Sequence, residues 1–193
     1  MPAVASEPLR EDNARTNTEV RMKRLDVLIV LFALGLLPAC RMERGTATIQ
    51  GTKPGSNISG TATFVPASNG LKVSIRVANV PPGPHGIHLH QNADCGDGGA
   101  AAGGHYNPDN VKHGFLPKDG FGNAHAGDLG NIEVHANGSG TLELTLPGLS
   151  LQDGPHSVVG RTIILHEKPD DFGQPTGNAG SRIACGVVAV RSR

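Results

Sequence analysis

Alternating apolar and polar residues predict a chain of short β-strands. Apolar side chains occupy every second position from Leu71 to Val77, and polar or small side chains lie between them. This period of two is typical of a strand with one buried face. Asn69-Gly70 before it is a hairpin turn signal, and Pro81-Pro82 after it cannot continue a ladder of hydrogen bonds. We therefore predict a half-buried strand over residues 71–78.

Seven other segments have the same character, whereas no amphipathic helix of convincing length and no internal repeat is found. These segments are Thr46–Gln50, Ile58–Val65, Gly86–Gln91, Asn131–Ala136, Leu142–Leu146, Arg161–His166 and Ile183–Val190. Two longer segments, 92–128 and 167–181, lack the pattern. Loops of such length are usually functional or disordered. The pattern predicts an all-β antiparallel sandwich or flattened barrel with two long loops.

Composition agrees with one globular domain that has many turns. The 193 residues are 37% hydrophobic and include 27 glycines and 14 prolines. A chain of this length can bury a real core. Its formal net charge of +0 gives no electrostatic reason to expect a nucleic-acid partner.

The N-terminal region predicts export rather than part of the fold. Met22-Lys23-Arg24 precedes the apolar run Leu25–Ala39, which ends at Cys40. A basic start and a short apolar run describe a secretory signal, and the run is shorter than the roughly 20 residues that cross a bilayer. We expect residues 1–40 to be a targeting region, residues 41–45 a linker and residues 46–193 the functional domain.

Two alternatives remain open in this region. Met22 is the expected start, but Met1 would make residues 1–21 a genuine polar extension. Cys40 resembles the lipid-modified cysteine of a bacterial lipobox, and plain signal cleavage is the alternative. Export to the periplasm or cell envelope, with a lipid anchor at Cys40 as the membrane contact, is the predicted location.

The other two cysteines predict a disulfide. Cys95 and Cys185 remain once Cys40 is assigned to the terminus. An exported pair in an oxidising compartment usually forms a bond. Two free buried thiols are the alternative.

Histidines carry the candidate chemistry. On a strand, His88 and His90 point to the same side, where they could share a metal ion or face solvent. Further ligand-type residues follow at His105, His113, His125, Asp128 and His166. Seven ligands exceed one tetrahedral site, so we expect two metals that share one ligand. A zinc set would be His105, His113, His125 and Asp128, and a copper set would be His88, His90, His105 and His166.

Several motifs together resemble those of secreted, bacterial-type copper/zinc superoxide dismutases, over essentially all of residues 46–190. They are His85-Gly-Ile-His88-Leu-His90, Gly104-His105-Tyr-Asn-Pro108, Lys112-His113-Gly114, His125-Ala-Gly-Asp128-Leu-Gly-Asn131, Gly160-Arg161-Thr162, His166-Glu-Lys-Pro-Asp170-Asp171 and Gly177-Asn-Ala-Gly-Ser-Arg182-Ile-Ala-Cys185-Gly186. The resemblance implies an eight-stranded Greek-key barrel. It also implies conversion of superoxide to oxygen and hydrogen peroxide by cycling copper, with structural zinc.

The resemblance also implies roles for single residues. His105 bridges the two metals and carries a proton, and His88, His90 and His166 complete the copper site. His113, His125 and Asp128 complete the zinc site. Asp170 links His88 to His113 through their outer nitrogen atoms, Arg182 attracts superoxide beside copper, and His85 braces loops. His135 and His156 are expected to be surface histidines.

Two departures from the cytosolic enzymes of the family concern substrate guidance and assembly. The loop from Glu167 to Ser181 is shorter and lacks a charged Glu-Glu-Lys segment, so other charges must guide superoxide. Cys95 follows His90 closely, as in bacterial enzymes, which leaves a homodimer possible but unassigned. The alternatives to a dismutase are a catalytically silent, dismutase-like copper-binding protein and a zinc hydrolase, although a hydrolase needs an open zinc position.

Overall fold

A computed structural model describes residues 43–191 of the chain. The predictions about the signal, Met22 and Cys40 lie outside these described residues. Within 43–191, no helix has the length and apolar character needed to span a membrane.

Within residues 43–191, nine β-strands form one antiparallel sheet that closes on itself. The strands are β1 (Arg44–Gly51), β2 (Ser59–Ala67), β3 (Gly70–Ala78), β4 (Gly83–His90), β5 (Asp128–Val134), β6 (Gly140–Pro147), β7 (Thr162–His166), β8 (Arg182–Val187) and β9 (Ala189–Arg191). Their order is β2-β3-β6-β5-β4-β7-β8-β1-β9, and pairing of β1 with β2 closes the barrel. The connections from β3 to β4 and from β6 to β7 skip neighbouring strands, which makes a Greek key. The predicted all-β barrel is confirmed.

One predicted strand is wrong in detail, because the segment Ile183–Val190 is interrupted at Val188. The Val188 N–H donates to the carbonyl of Arg161 at 2.8 Å, and the Val188 carbonyl accepts from the Gly160 N–H at 2.9 Å. These bonds take Val188 out of the ladder with β1. The strand resumes as β9, which pairs with the start of β1. β8 and β9 therefore act as one bent strand of an eight-stranded barrel.

The apolar positions of the alternating strands fill the barrel. Leu71, Val73 and Ile75 of β3 are buried, whereas Lys72 and Arg76 between them are exposed. This is the alternation that the sequence predicts for a strand with one wet face.

β4 differs from β3 because both of its faces are buried. Ile87 and Leu89 point into the core, whereas His88 and His90 point outward and are still fully covered. The long loops provide that cover.

Main-chain hydrogen bonds attach the long loop between β4 and β5 to the end of β4. The Tyr106 N–H donates to Leu89 O at 2.8 Å, and the Leu89 N–H donates to Gly127 O at 2.9 Å. A Cβ on Gly127 would lie 2.2 Å from Leu89 O, so this approach requires glycine. His105 and His125, next to these positions, are thereby brought beside the strand. The loop contains 3₁₀ turns at Asp97–Ala102 and a four-residue helix, α1, at Leu116–Asp119.

A disulfide joins the same loop to β8. Cys95 and Cys185 are bonded and lie 90 positions apart in sequence. The predicted pairing is confirmed. Closing a loop of this length removes chain entropy from the unfolded state, worth roughly 4–5 kcal/mol in the simplest model.

Candidate metal centre

Seven buried side chains form two adjoining donor sets outside the barrel wall. One set is His88, His90, His105 and His166, and the other is His105, His113, His125 and Asp128. All seven side chains are buried, and His105 belongs to both sets. The structure thus brings together every residue that the sequence proposes as a metal ligand.

In the first set, the three histidines other than His105 each have one ring nitrogen, the one facing away from the centre of the set, within hydrogen-bond distance of an oxygen. His88 Nε2 lies 2.8 Å from Asp170 Oδ2, His90 Nδ1 3.0 Å from Gly103 O, and His166 Nδ1 3.2 Å from Gly180 O. A neutral imidazole that donates from one nitrogen presents a lone pair at the other. The second nitrogen of each ring, which faces the centre of the set, therefore presents a lone pair and has no proton to donate to its neighbours.

The inner atoms themselves show the arrangement expected of metal ligands. His88 Nδ1 is buried without a hydrogen-bond partner, and His90 Nε2 lies 3.4 Å from His166 Nε2. Buried polar atoms are almost always partnered, so such an orphan indicates a missing group. Four imidazole nitrogens are a donor set that suits copper.

The second set is built around Asp128. Its Oδ1 lies 2.9 Å from His105 Nδ1 and 3.1 Å from His125 Nδ1, and its Oδ2 lies 2.9 Å from His113 Nδ1. Tetrahedral zinc with bonds near 2.0–2.1 Å would separate its ligands by about 3.3 Å. His113 Nδ1 is buried and makes no hydrogen bond, although it lies this close to Oδ2. Three nitrogens and one carboxylate converge as a closed zinc set would require.

His105 is placed to serve both sets with one ring. Its Nδ1 faces Asp128, which leaves Nε2 for the copper set. Its ring centroid is 4.2 Å from that of His88 and 5.0 Å from that of His90.

Asp170 joins the two sets from behind. Its Oδ2 is 2.8 Å from His88 Nε2, and its Oδ1 is 3.0 Å from His113 Nε2. Asn131 holds the main chain of Asp170 by donating to its carbonyl at 2.9 Å and accepting from its N–H at 2.7 Å. A Cβ on Gly177 would lie 1.9 Å from Asp170 Oδ1, so only glycine fits beside this carboxylate.

Arg182 lies beside the copper set and is fixed by the disulfide-linked loop. Its Nη1 donates to Gly99 O and its Nη2 to Gly103 O, both at 2.6 Å. Gly103 O is also the acceptor for His90, so the guanidinium is one carbonyl away from a copper-set ring. The side chain is half-buried, which leaves part of it open to a small anion.

Burial opposes the protonation of three histidines in the metal-free site. It lowers the pKa of His90 to about 2, that of His166 to about 3 and that of His105 to about 4. Burial also opposes the charge on His113, but the adjacent carboxylates of Asp128 and Asp170 raise its pKa to about 9. Burial would raise the pKa of these two carboxyls, but the neighbouring histidines and main-chain N–H groups hold it well below the usual range.

These shifts predict that acid destabilises the metal-free protein. Groups whose pKa is lowered in the folded state contribute stability that is present above their unfolded pKa and is lost as pH falls towards the folded value. For His90, His105 and His166 that loss begins near pH 6.5 and continues to about pH 4 and below. We expect the thermal unfolding midpoint of apoprotein to fall steadily between pH 6.5 and 4, as measured by circular dichroism. A midpoint that is constant across this range would contradict the burial of neutral histidines.

The remaining histidines lie outside the donor sets. His85 contacts the carbonyls of His166 and Pro81, each at 2.8 Å, and so braces two segments as the sequence predicts. His135 is exposed. His156 is more engaged than a free surface residue, because it bonds Asp109 at 2.8 Å and stacks on Phe121.

Sequence reasoning did not single out three residues that hold the site: Asn131, Gly177 and Gln174. Gln174 bonds the main chain of His113. Asn131 and Gly177 stand at the edges of the resemblance motifs, which was the available signal. Gln174 lies in the shortened loop, where no motif marks it.

Comparisons with known proteins agree with this geometry. Residues 58–188 match the family model described as copper/zinc superoxide dismutase. An extracellular superoxide dismutase [Cu-Zn] of Caenorhabditis elegans is 39% identical over 88% of this chain and 79% of its own length. A superoxide dismutase [Cu-Zn] 2 of Brassica juncea is 37% identical over 78% of this chain and 99% of its own. The crystal structure of the clock protein EA4 covers 81% of this chain and 99% of its own, with 35% identity and a TM-score of 0.70.

Proposed function

The chain belongs to the copper/zinc superoxide dismutase family, and we propose that its two buried donor sets are the sites where it converts superoxide. It is an oxidoreductase that uses copper and zinc. Two superoxide ions and two protons give one oxygen and one hydrogen peroxide. The observation that carries the residue assignment is the pair of donor sets joined through His105 and braced by Asp170.

The donor atoms fit both metals. His88 Nδ1 and His113 Nδ1 are buried without partners, one in each set. We assign copper to His88, His90, His105 and His166, and zinc to His105, His113, His125 and Asp128. The outer bonds of the ligand histidines fix which nitrogen of each ring is free to bind.

The chain's own residues then divide the work. When bound, copper would supply one-electron redox chemistry for the two superoxide ions, whereas zinc would be redox-silent. His105 would serve as a ligand in both sets, and its Nε2 would be the atom that takes up a proton and passes it to the departing peroxide. Arg182 offers N–H donors and positive charge to the anion.

Replacing Arg182 by alanine is expected to slow superoxide capture while both metals stay bound. Electrostatic steering, for which superoxide dismutases are a known example, accelerates association by about 10- to 1,000-fold. We expect a loss of about ten-fold in the second-order rate constant, measured by pulse radiolysis at low ionic strength. Arg76→Ala, which removes an exposed arginine from β3, is the charge-matched control. An unchanged rate constant in Arg182→Ala would contradict the proposal that Arg182 guides superoxide to the site.

The proposed function is tested by metal analysis of residues 41–193 together with a superoxide-decay assay. We expect one copper and one zinc per chain and catalysed decay. A protein that holds copper but does not accelerate decay would instead be a silent copper-binding relative.

Export is supported by the relatives, because those from Caenorhabditis elegans and Haemonchus contortus are described as extracellular. We propose that residues 1–40 are a targeting region whose signal peptide starts at Met22, that residues 41–45 are a linker, and that the enzyme is of the bacterial secreted type. A periplasmic or envelope location with a lipid at Cys40 follows from the lipobox resemblance. The intact mass of protein from the membrane fraction tests the lipid, and sedimentation analysis tests whether the chain is a monomer or a homodimer.

A further inference from the structure

The shortened loop from Glu167 to Ser181 grips one zinc-set histidine by its main chain. The His113 N–H donates to Gln174 Oε1 at 3.1 Å, and Gln174 Nε2 donates to His113 O at 2.9 Å. One carboxamide therefore binds both main-chain polar groups of a single residue, His113. This pair of bonds couples the loop after β7 to the loop after β4.

The same loop also covers the ring of His113. The Phe172 ring lies nearly parallel to it, at 19° with centroids 6.5 Å apart, and meets the Phe115 ring edge-on at 6.1 Å. Phe172 is the one large hydrophobic residue within 43–191 that is exposed, at 45%. Its φ is +59°, which is uncommon for a bulky residue.

The unusual backbone of Phe172 has a visible consequence at the site. Its N–H donates to Asp170 Oδ1 at 2.8 Å, and that oxygen also faces His113 Nε2. An exposed ring contributes little to the core, and Phe172 instead contacts His113, Phe115 and Asp170. His113 is thus held at Nε2, at its ring face and at its main chain by three residues of one loop.

We propose that Phe172 and Gln174 form a clamp on His113 that slows the release of zinc. This inference rests on the assignment of His113 to the zinc site. Zinc can leave only when a ligand swings away and water enters in its place. Gln174 holds the main chain that would have to move, and Phe172 shields the ring and its bond to Asp170. Both are positioning residues and neither touches the substrate.

The test is the rate at which protein loaded with copper and zinc gives zinc to a chromophoric chelator. Loss of residues that orient metal ligands typically weakens binding by about 10- to 100-fold. We expect about ten-fold faster zinc release in Phe172→Ala and in Gln174→Ala, and a larger increase in the double variant. Phe172→Tyr, which keeps the ring, should retain slow release.

Two controls separate a clamp from general loosening. Asn178→Ala removes a side chain of the same loop that bonds Asp171, and Phe121→Ala removes a loop phenylalanine that stacks on His156. We expect wild-type zinc release in both. In the clamp variants, copper release and the unfolding temperature of the apoprotein should stay unchanged.

Unchanged zinc release in the double variant would overturn the clamp. So would equal acceleration of copper and zinc release with a lower apoprotein unfolding temperature, which would show a merely structural role. Failure of the metal assignment gives a different result, because the unsubstituted protein would then bind no zinc through His113. That result would also rule out the clamp.

Discussion

Replacing His105 by alanine is expected to lower superoxide dismutase activity by more than about 100-fold, since even residues behind metal ligands cost 10- to 100-fold when lost. His105 is the one side chain within the described residues that belongs to both donor sets. Its loss opens a position in the copper set and another in the zinc set, and it removes the proton carrier. Metal analysis and superoxide decay on the same sample measure both effects.

The control for this variant is His135→Ala, because His135 is an exposed histidine outside the donor sets. It should keep full activity and both metals. Circular dichroism of the two apoproteins checks that neither substitution unfolds the barrel. Full activity of His105→Ala with both metals retained would contradict a shared ligand.

Replacing Asp170 by asparagine is expected to weaken binding at both metal sites at once. The carboxylate faces His88 Nε2 and His113 Nε2 and accepts from the Phe172 N–H. An amide has a single acceptor oxygen, and its NH₂ group would oppose the N–H of one histidine. We expect metal affinity to fall by about 10- to 100-fold, measured by competition with chelators for each metal.

Asp171→Asn is the matched control for this prediction. It makes the same chemical change in the next residue, whose carboxylate is exposed and bonds Asn178 and Gly173. We expect Asp171→Asn to bind both metals normally. If Asp170→Asn also did so, the link between the two sites would not orient the ligands.

Much of the barrel could be predicted because a strand that is buried on one face alternates apolar and polar residues in its sequence. The alternation from Leu71 to Val77 is the example, and the structure buries those positions. The break at Val188 could not be predicted in the same way. It arises from hydrogen bonds to Gly160 and Arg161, which are distant in sequence and leave no mark on residues 183–190.

The sequence pattern also predicts too late a start for β5, for a related reason. The sequence places it at Asn131, whereas the strand begins at Asp128. Asp128 pairs with His88 across an irregularity in the register after Gly86. A buried carboxylate at a strand start resembles a loop residue in sequence, although here it faces histidines that offset its burial.

The candidate site divides along similar lines. The seven donor residues could be proposed because few residue types bind metals and their motifs are distinctive. The residues that hold these donors in place could not be proposed, because Gln174 acts through the main chain of His113, and Asn131 through that of Asp170. Such contacts depend on the path of a loop rather than on its composition.

The most direct test is a crystal structure of the metal-loaded protein with anomalous data at the copper and zinc absorption edges. We predict one copper peak bound by His88, His90 and His166, one zinc peak bound by His113, His125 and Asp128, and the ring of His105 between them. A single metal, or two metals with His105 bound to one of them alone, would contradict the shared-ligand centre.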